Sequence, residues 1–388
     1  MMEQATTDAV TAARELAPEL SARAVEAERL QTLPRDLVER VREAGLFRLA
    51  TPRGLGGQEL PPATIVEVVE ELSRADGSAG WTITIGNASA FLAWLDPAVA
   101  AEFVATTPDP IGGGVFAPAG RLTPDGAGKF GLAGRWGFCS GSAHSDLFFN
   151  GAMVFDGDAP RMVPGRGPDW RLAVVPAAQT RVIENWDVTG LRGTGSHDVA
   201  IDAVVGEEHT ISPFTEPARH DGPLGRFPFF TLVGTMLVGV PLGIARRALD
   251  EFTGFAPAKF RPPGPGPIAE DGDVQLALTR AEGRLRSARA FVFEALGTLW
   301  DTASAGDVPD VRQRGQFLLA AQQAMQASLS AVNIAFGYAG AGALHADQPM
   351  QRCFRDLHAA AQHIYFSAAA SKRYAKLRFG MEQPTFWF

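Results

Sequence analysis

Between Trp186 and Val199 the chain reads Trp-Asp-Val-Thr-Gly-Leu-Arg-Gly-Thr-Gly-Ser-His-Asp-Val. Gly190, Gly193 and Gly195 let the backbone turn sharply and approach a ligand closely, where a Cβ would intrude. Arg192, Thr194 and Ser196 add one cation and two hydroxyls to a stretch rich in backbone N–H donors. That combination suits a flat, polar-edged or phosphorylated small molecule. The same residues equally suit a Gly-rich turn joining Thr180–Asn185 to Val199–Val205.

Two other segments carry comparable chemistry. Gly134–His144 reads as a strand, and period-two alternation puts Trp136, Phe138, Ser140 and Ser142 on one side. Rings and hydroxyls on one face suit a planar heteroaromatic ligand that needs stacking and hydrogen bonds; an ordinary half-buried strand has the same pattern. His144 lies just past that strand, where a surface turn is as good a place for it. Trp81, Thr84 and Asn87 recur every third residue and share a helix face. His358 and His363 are five apart, a poor helical spacing for a shared face, so only one of them points into a site.

These residues need elements to position them. Thr6–Leu30, Leu37–Leu46, Ala63–Ser73, Asp76–Leu95 and Pro97–Val104 show helical patterning, and Pro108–Pro110 ends that region. From Ile111 turn signals alternate with short apolar runs, which implies an antiparallel β-barrel or sandwich. Helical patterning returns in Phe229–Phe255, Asp273–Thr302, Asp310–Phe336 and Gln351–Leu377, as expected of a four-helix bundle. We divide the chain into a helical part at 1–107, a β part at 108–215 and a helical bundle at 216–388, an α+β organisation.

Composition narrows the function classes. A chain of 388 residues exceeds one ordinary core, and 46% hydrophobic with 20% charged residues describes a globular protein. A net charge of −8 with no basic run argues against a nucleic-acid surface. Two cysteines, Cys139 and Cys353, give neither a disulfide framework nor metal-ligand spacing, consistent with the cytoplasm. Met1–Arg14 lacks the apolar core of a signal peptide. Phe229–Ala245 is apolar but holds Pro241 and three glycines, so a buried bundle helix is expected there rather than a membrane span.

Four stretches together resemble the acyl-CoA dehydrogenase superfamily, in its branch of reduced-flavin-dependent, two-component monooxygenases. They are Leu33–Gly57, Gly134–His144, the Gly-Leu-Arg-Gly-Thr-Gly-Ser loop and Pro349–His363, in the family's order. The resemblance implies a helical N-terminal domain, a central antiparallel β-barrel and a C-terminal four-helix bundle. It implies reduced FMN or FAD as the cofactor, O2 as cosubstrate, a separate flavin reductase as partner, and a homotetramer or homodimer. The substrate would be small and aromatic or polyketide-like.

By the same resemblance His363 is the flavin-proximal histidine, while Arg355 and Asp356 hold their segment against neighbouring helices. Trp81, Phe138, Ser140, Ser142, Arg192, Thr194 and Ser196 would contact flavin or substrate. Arg261 and Gly340, in the Gly337–Gly342 connection, would approach the flavin phosphates, usually of a neighbouring subunit. Asn87 stands where many of these oxygenases carry a histidine near the oxygen-reacting edge; an amide hydrogen-bonds there but does not titrate near neutral pH.

Two rival readings stay open. An acyl-CoA dehydrogenase needs a carboxylate base. The commonest position for that base is Ile364 here, and no Asp or Glu occurs from Leu357 to Met381. A flavin- or ligand-binding homologue without turnover is the other.

Overall fold

The computed structural model describes residues 2–262 and 264–388. Six helices come first: α1 (Met2–Ala22), α2 (Ala24–Leu30), α3 (Arg35–Glu43), α4 (Pro62–Ala75), α5 (Gly77–Gly86) and α6 (Pro97–Thr106). Pro62 begins α4 where a missing N–H costs nothing, and Ile65, Val66, Val68, Val69 and Leu72 give the helix its buried side. Asp76 caps α5 by accepting from Ala79 N at 2.9 Å. Nearly every residue of α5 is buried, so the helix runs through the core rather than over it.

Eleven strands follow: β1 (Gly112–Gly113), β2 (Gly120–Pro124), β3 (Lys129–Cys139), β4 (Leu147–Asp156), β5 (Ala159–Pro160), β6 (Met162–Val163), β7 (Gly167–Pro168), β8 (Trp170–Pro176), β9 (Thr180–Ile183), β10 (His197–Gly206) and β11 (Thr210–Ile211). Their main path runs β11-β8-β4-β2-β3-β10-β9. The expected antiparallel barrel is not what forms. β2 and β1 both pair with β4 in parallel, so the sheet is mixed. It stays open as well, because β9 and β11 end the path and share no ladder among the described residues. Both edge strands are too short to offer a closing seam.

The open sheet curls over a small core of its own. Trp136, Leu132, Phe148, Val154, Val175 and Ile201 fill it. Trp136 lies over Gly120 and Gly134, where an added Cβ would come within 2.3 and 2.6 Å of its ring. The indole N–H is satisfied by Gly151 O at 2.7 Å. Residues of the opposite phase, Leu147, Phe149, Leu172 and Val174, belong to the main core shared with the helices.

Six further helices complete the chain: α7 (Phe229–Leu237), α8 (Gly239–Phe255), α9 (Gly272–Ser304), α10 (Val311–Ala339), α11 (Pro349–Ala360) and α12 (Ala368–Arg378). α10 packs against α8, α9 and α11, and α4 from the N-terminal region lies on α8. The long apolar stretch beginning at Phe229 is 94% buried within the fold, as expected of a core helix.

The expected single helix Gln351–Leu377 is broken. His363 Nδ1 accepts from Tyr365 N at 3.3 Å and starts a short 3-10 turn, Ile364–Phe366. Ser367 then caps α12 by accepting from Ala370 N at 3.4 Å. Side chains that bond nearby backbone N–H groups compete with helix continuation, and two of them within five residues end it here. Replacing Trp136 with alanine should cost about 3–5 kcal/mol, because it empties the centre of the sheet core. Urea denaturation followed by near-ultraviolet dichroism checks this; a loss under about 1 kcal/mol would mean the sheet core collapses freely around the gap.

Candidate active site

The site starts from a defect in β3. Opposite β10, Cys139 pairs with His197 and Trp136 with Val199, so Gly137 and Phe138 together face Asp198. This is a β-bulge, and Phe138 takes a φ of 64° within it. The bulge reverses the alternation read from sequence. Trp136 points into the sheet core and Phe138 stands 76% exposed, so the two do not share a face. Phe138 meets Trp186 edge-on at 6.0 Å between ring centres. Ser140 and Ser142 follow the bulge and are buried.

The loop after β9 closes over these serines. Gly190 packs so tightly on α11 that a Cβ there would lie 2.1 Å from Arg355 O. Leu191 N donates to Asp356 Oδ1 at 2.6 Å, and Leu191 is held in the left-handed region with φ 53°. Arg355 donates to Thr189 O and, at 2.7 Å, to Glu28 Oε1. Gly193 N donates to Ser78 Oγ of α5 at 3.2 Å. The loop is therefore gripped by α2, α5 and α11 together.

That grip assembles one hydroxyl chain. Trp81 Nε1 donates to Ser140 Oγ at 3.0 Å, and Ser140 Oγ lies 2.7 Å from Ser196 Oγ. Ser196 Oγ lies 2.6 Å from Thr194 Oγ1, which donates to Leu191 O at 2.7 Å. Ser142 Oγ donates to Gly195 O at 2.9 Å. The ring of His363 stands edge-on to Trp81 at 5.6 Å. Trp81, Ser140, Ser142, Thr194, Ser196 and His363 thus come together from four separate stretches of chain.

Other candidates lie elsewhere. Asn87 caps the end of α5, where its Oδ1 accepts from Leu49 N at 2.8 Å and its Nδ2 donates to Leu46 O and Ile83 O, each at 2.9 Å. Both amide hydrogens are committed to backbone carbonyls, leaving none for a ligand. His144 is pinned between Thr32 Oγ1 at 2.9 Å and Leu33 O at 3.0 Å. His358 pairs with Asn333 Oδ1 at 2.9 Å, away from Trp81. Arg192 turns back on its own loop, to Val188 O and to Asp187 Oδ1 at 3.2 Å.

Arg261 is exposed, on the same segment as Lys259, which donates to Ala339 O beside Gly340. Gly340 has a φ of 66° and ends α10. Lys259 thus ties this segment to the end of α10, and no contact links Arg261 or Gly340 to the hydroxyl chain among the described residues. A groove of about 780 Å³ between α1, α4 and α8 holds none of the candidates and is lined by Arg14, Glu71, Arg74 and Asp250 in ion pairs.

Several residues that matter here carried no readable signal. Leu191 is an apolar residue whose role is purely backbone. Thr82, whose buried hydroxyl has no partner among the described residues, lies beside Gly141. Asp76 and Asp356 are buried together, and burial raises both carboxyls above their ordinary range, with Arg352 opposing the shift at Asp76. The sequence marked Asp76 as the start of a helical stretch and, by resemblance, Asp356 as a structural residue, but not that the two are buried together.

The arrangement fits an isoalloxazine. Phe138 offers an uncovered aromatic face, and the Thr82 hydroxyl is a buried polar group awaiting a partner. Residues 4–102 match the acyl-CoA dehydrogenase N-terminal domain and residues 235–368 the acyl-CoA dehydrogenase C-terminal domain. Indole-3-acetate monooxygenase of Pseudomonas putida is 34% identical over 366 residues, covering 94% of this chain and 91% of that protein. The oxygenase component of the FADH2-dependent resorcinol hydroxylase of a Rhizobium species is 27% identical, over 87% of this chain and 85% of its own. The crystallised XiaF of a Streptomyces species, in complex with FADH2 and glycerol, superposes with a TM-score of 0.90 at 24% identity over 99% of this chain and 97% of that one.

The chain belongs to the acyl-CoA dehydrogenase superfamily, in its branch of flavin-dependent monooxygenases. Ile364, where the resemblance puts the dehydrogenase carboxylate, is an apolar side chain 54% exposed. A general base for α-proton abstraction is therefore missing from that position.

His363 stands beside Trp81, and burial lowers its pKa to about 4. The ring is neutral at pH 7. Its Nδ1 already accepts from Tyr365 N, so the hydrogen resides on Nε2. The monooxygenase thus presents a fixed neutral N–H donor there. Above pH 6.5 the histidine is neutral in both folded and unfolded chains and adds no pH dependence. Between 6.5 and about 4 only the unfolded chain binds the proton, so stability falls as the solution is acidified, and below about 4 the effect levels off. The urea midpoint of the wild type should drop more steeply across that window than that of His363→Gln. Parallel curves would show that the imidazole is not desolvated.

Proposed function

We propose that this monooxygenase hydroxylates a small aromatic substrate of the indole or phenol class, using O2 and reduced flavin, FAD or FMN, supplied by a separate reductase. The reading is carried by the 34%-identical relative that covers nearly the whole chain, together with the convergence of Trp81, Ser140 and His363. A second relative named as an oxygenase component supports the separate reductase. Two relatives or neighbours named with FADH2 favour the FAD form. The division at 1–107, 108–215 and 216–388 and a cytoplasmic location go with this reading.

In this assignment Phe138 and Trp186 would give the ring system an apolar edge to lie against, and Ser140 and Ser142 would meet its polar edge. The flavin supplies the redox chemistry with O2 when bound. Thr194 and Ser196 act through Ser140 rather than by direct contact, since their hydroxyls are bonded to each other. Asn87 is a structural cap and not a catalytic group. Arg192 stiffens its loop. Arg261 and Gly340 complete the site of a neighbouring subunit in a homotetramer or homodimer, which accounts for their separation from the chain of hydroxyls.

His363 has a narrower role than general base. Its Nε2–H would donate to an oxygen of a bound substrate and orient it. Hydrogen bonds to charged groups contribute about 1.5–3 kcal/mol, so His363→Ala should lose about 10–150-fold in product formed per flavin oxidised. His363→Gln, which keeps an N–H donor, should recover part of that loss. The assay pairs the protein with a flavin reductase, NADH and indole-3-acetate or resorcinol, and measures hydroxylated product against hydrogen peroxide. A fixed neutral donor predicts no limb near pH 6.5 in the coupling profile. Normal coupling in a folded His363→Ala protein, or a limb that vanishes with the substitution, would remove this role. NADH oxidation by the protein alone with added flavin would contradict the separate reductase.

A further inference from the structure

The hydroxyls beside Trp81 have a countable set of protons. Thr194 Oγ1 lies 2.7 Å from Leu191 O, Ser196 Oγ 2.6 Å from Thr194 Oγ1, and Ser140 Oγ 2.7 Å from Ser196 Oγ. A carbonyl oxygen only accepts, so Thr194 donates to Leu191. Its single proton being spent, Thr194 accepts from Ser196, and Ser196 in turn accepts from Ser140. Trp81 Nε1 only donates, and its hydrogen goes to Ser140 Oγ. Three oxygen–oxygen contacts consume three hydroxyl protons. Turning any one hydroxyl around leaves a close oxygen pair with no hydrogen between its members.

The anchor of this chain is immobile. Leu191 O also accepts from Trp186 Nε1 at 3.1 Å and from Thr194 N at 3.2 Å, while Leu191 N is held by Asp356. Ser142 is locked in the same sense by donating to Gly195 O. Ser140 and Ser142 are thus left with lone pairs, and no proton, for whatever docks against them.

We propose that this locked polarity makes Ser140 an obligate hydrogen-bond acceptor at the flavin's reacting edge, and that Thr194 and Ser196 are positioning residues selecting reduced over oxidised flavin. The proposal rests on the reading that places the isoalloxazine against Ser140. Reduced isoalloxazine carries a hydrogen on N5 and would donate it to the Ser140 lone pair. Oxidised isoalloxazine has a lone pair at N5, and two lone pairs would then face each other in a partly desolvated site. Discrimination comes from proton count rather than from shape.

The test is an anaerobic calorimetric titration of the purified protein with FAD and FMN, each oxidised and dithionite-reduced, giving the ratio of oxidised to reduced Kd. Thr194→Val removes the donor to Leu191 and frees the chain to reverse. It should narrow that ratio by about tenfold, the equivalent of one mispaired hydrogen bond, in a variant that still unfolds cooperatively. Thr194→Ser keeps the hydroxyl and should keep the wild-type ratio. Ser140→Ala should narrow the ratio as well. If Ser140→Ala narrows it and Thr194→Val does not, the chain does not set the polarity and the proposal fails while the flavin placement stands. Equal weakening of both oxidation states in Thr194→Val shows a packing role and also overturns it. If neither variant moves either Kd, the flavin does not lie at Ser140, and both readings fall.

Discussion

The docking of one loop onto one helix is the constraint on which the site depends. Gly190 meets the Arg355 carbonyl without a side chain between them, and the Leu191 amide is bonded to the Asp356 carboxylate. Leu191 is a non-glycine residue in a left-handed conformation, a geometry that persists only when its surroundings over-determine it. Here they do, through a carboxylate on its N–H and three donors on its carbonyl. Everything downstream inherits that placement: Thr194, Ser196, Ser140, and through Trp81 the ring of His363.

The same contact explains why acids and arginines are buried beneath the site. Asp76, Asp356 and Glu28 lie among Arg352 and Arg355, and each carboxylate also serves an architectural purpose. Asp76 starts α5, Asp356 holds the loop, and Glu28 ties α2 to α11. Carboxylates removed from water are costly unless paired and hydrogen-bonded; the two arginines pair Glu28 and Asp76, while the Leu191 amide holds Asp356. Arg355 and Asp356, adjacent on one helix, thereby grip the loop from both sides, by its Thr189 carbonyl and its Leu191 amide.

Much of the fold was legible because its signals are local. Helical patterning located α9 and α10 closely, the glycine-rich run marked a tight loop, and the order helical, β, helical followed from periodicity and turn spacing. The errors have identifiable physics. The sheet is open and mixed because β2 returns parallel to β4, a pairing that turn spacing does not encode. Trp136 and Phe138 part company because a bulge against Asp198 adds one residue to β3. His363 leaves its helix because its own imidazole caps the next turn. Asn87 stood at a promising helical position, yet both its amide hydrogens are spent on carbonyls, one of them of a loop far back in the chain.

The sequence by itself determined the inventory: which hydroxyls, rings and imidazoles exist, that three glycines crowd one loop, and that no carboxylate follows Asp356 until Glu382. It also determined the periodicities from which most helices and strands form, since these depend on neighbours a few residues away. Only the tertiary structure decided which groups meet. Leu191 and Asp356 are 165 residues apart, and Trp81 and Ser140 are 59 apart, so no local pattern relates them. It decided too which atoms remain free to bind, because a hydroxyl has one proton, and where that proton goes depends on whichever acceptor the fold brings within reach.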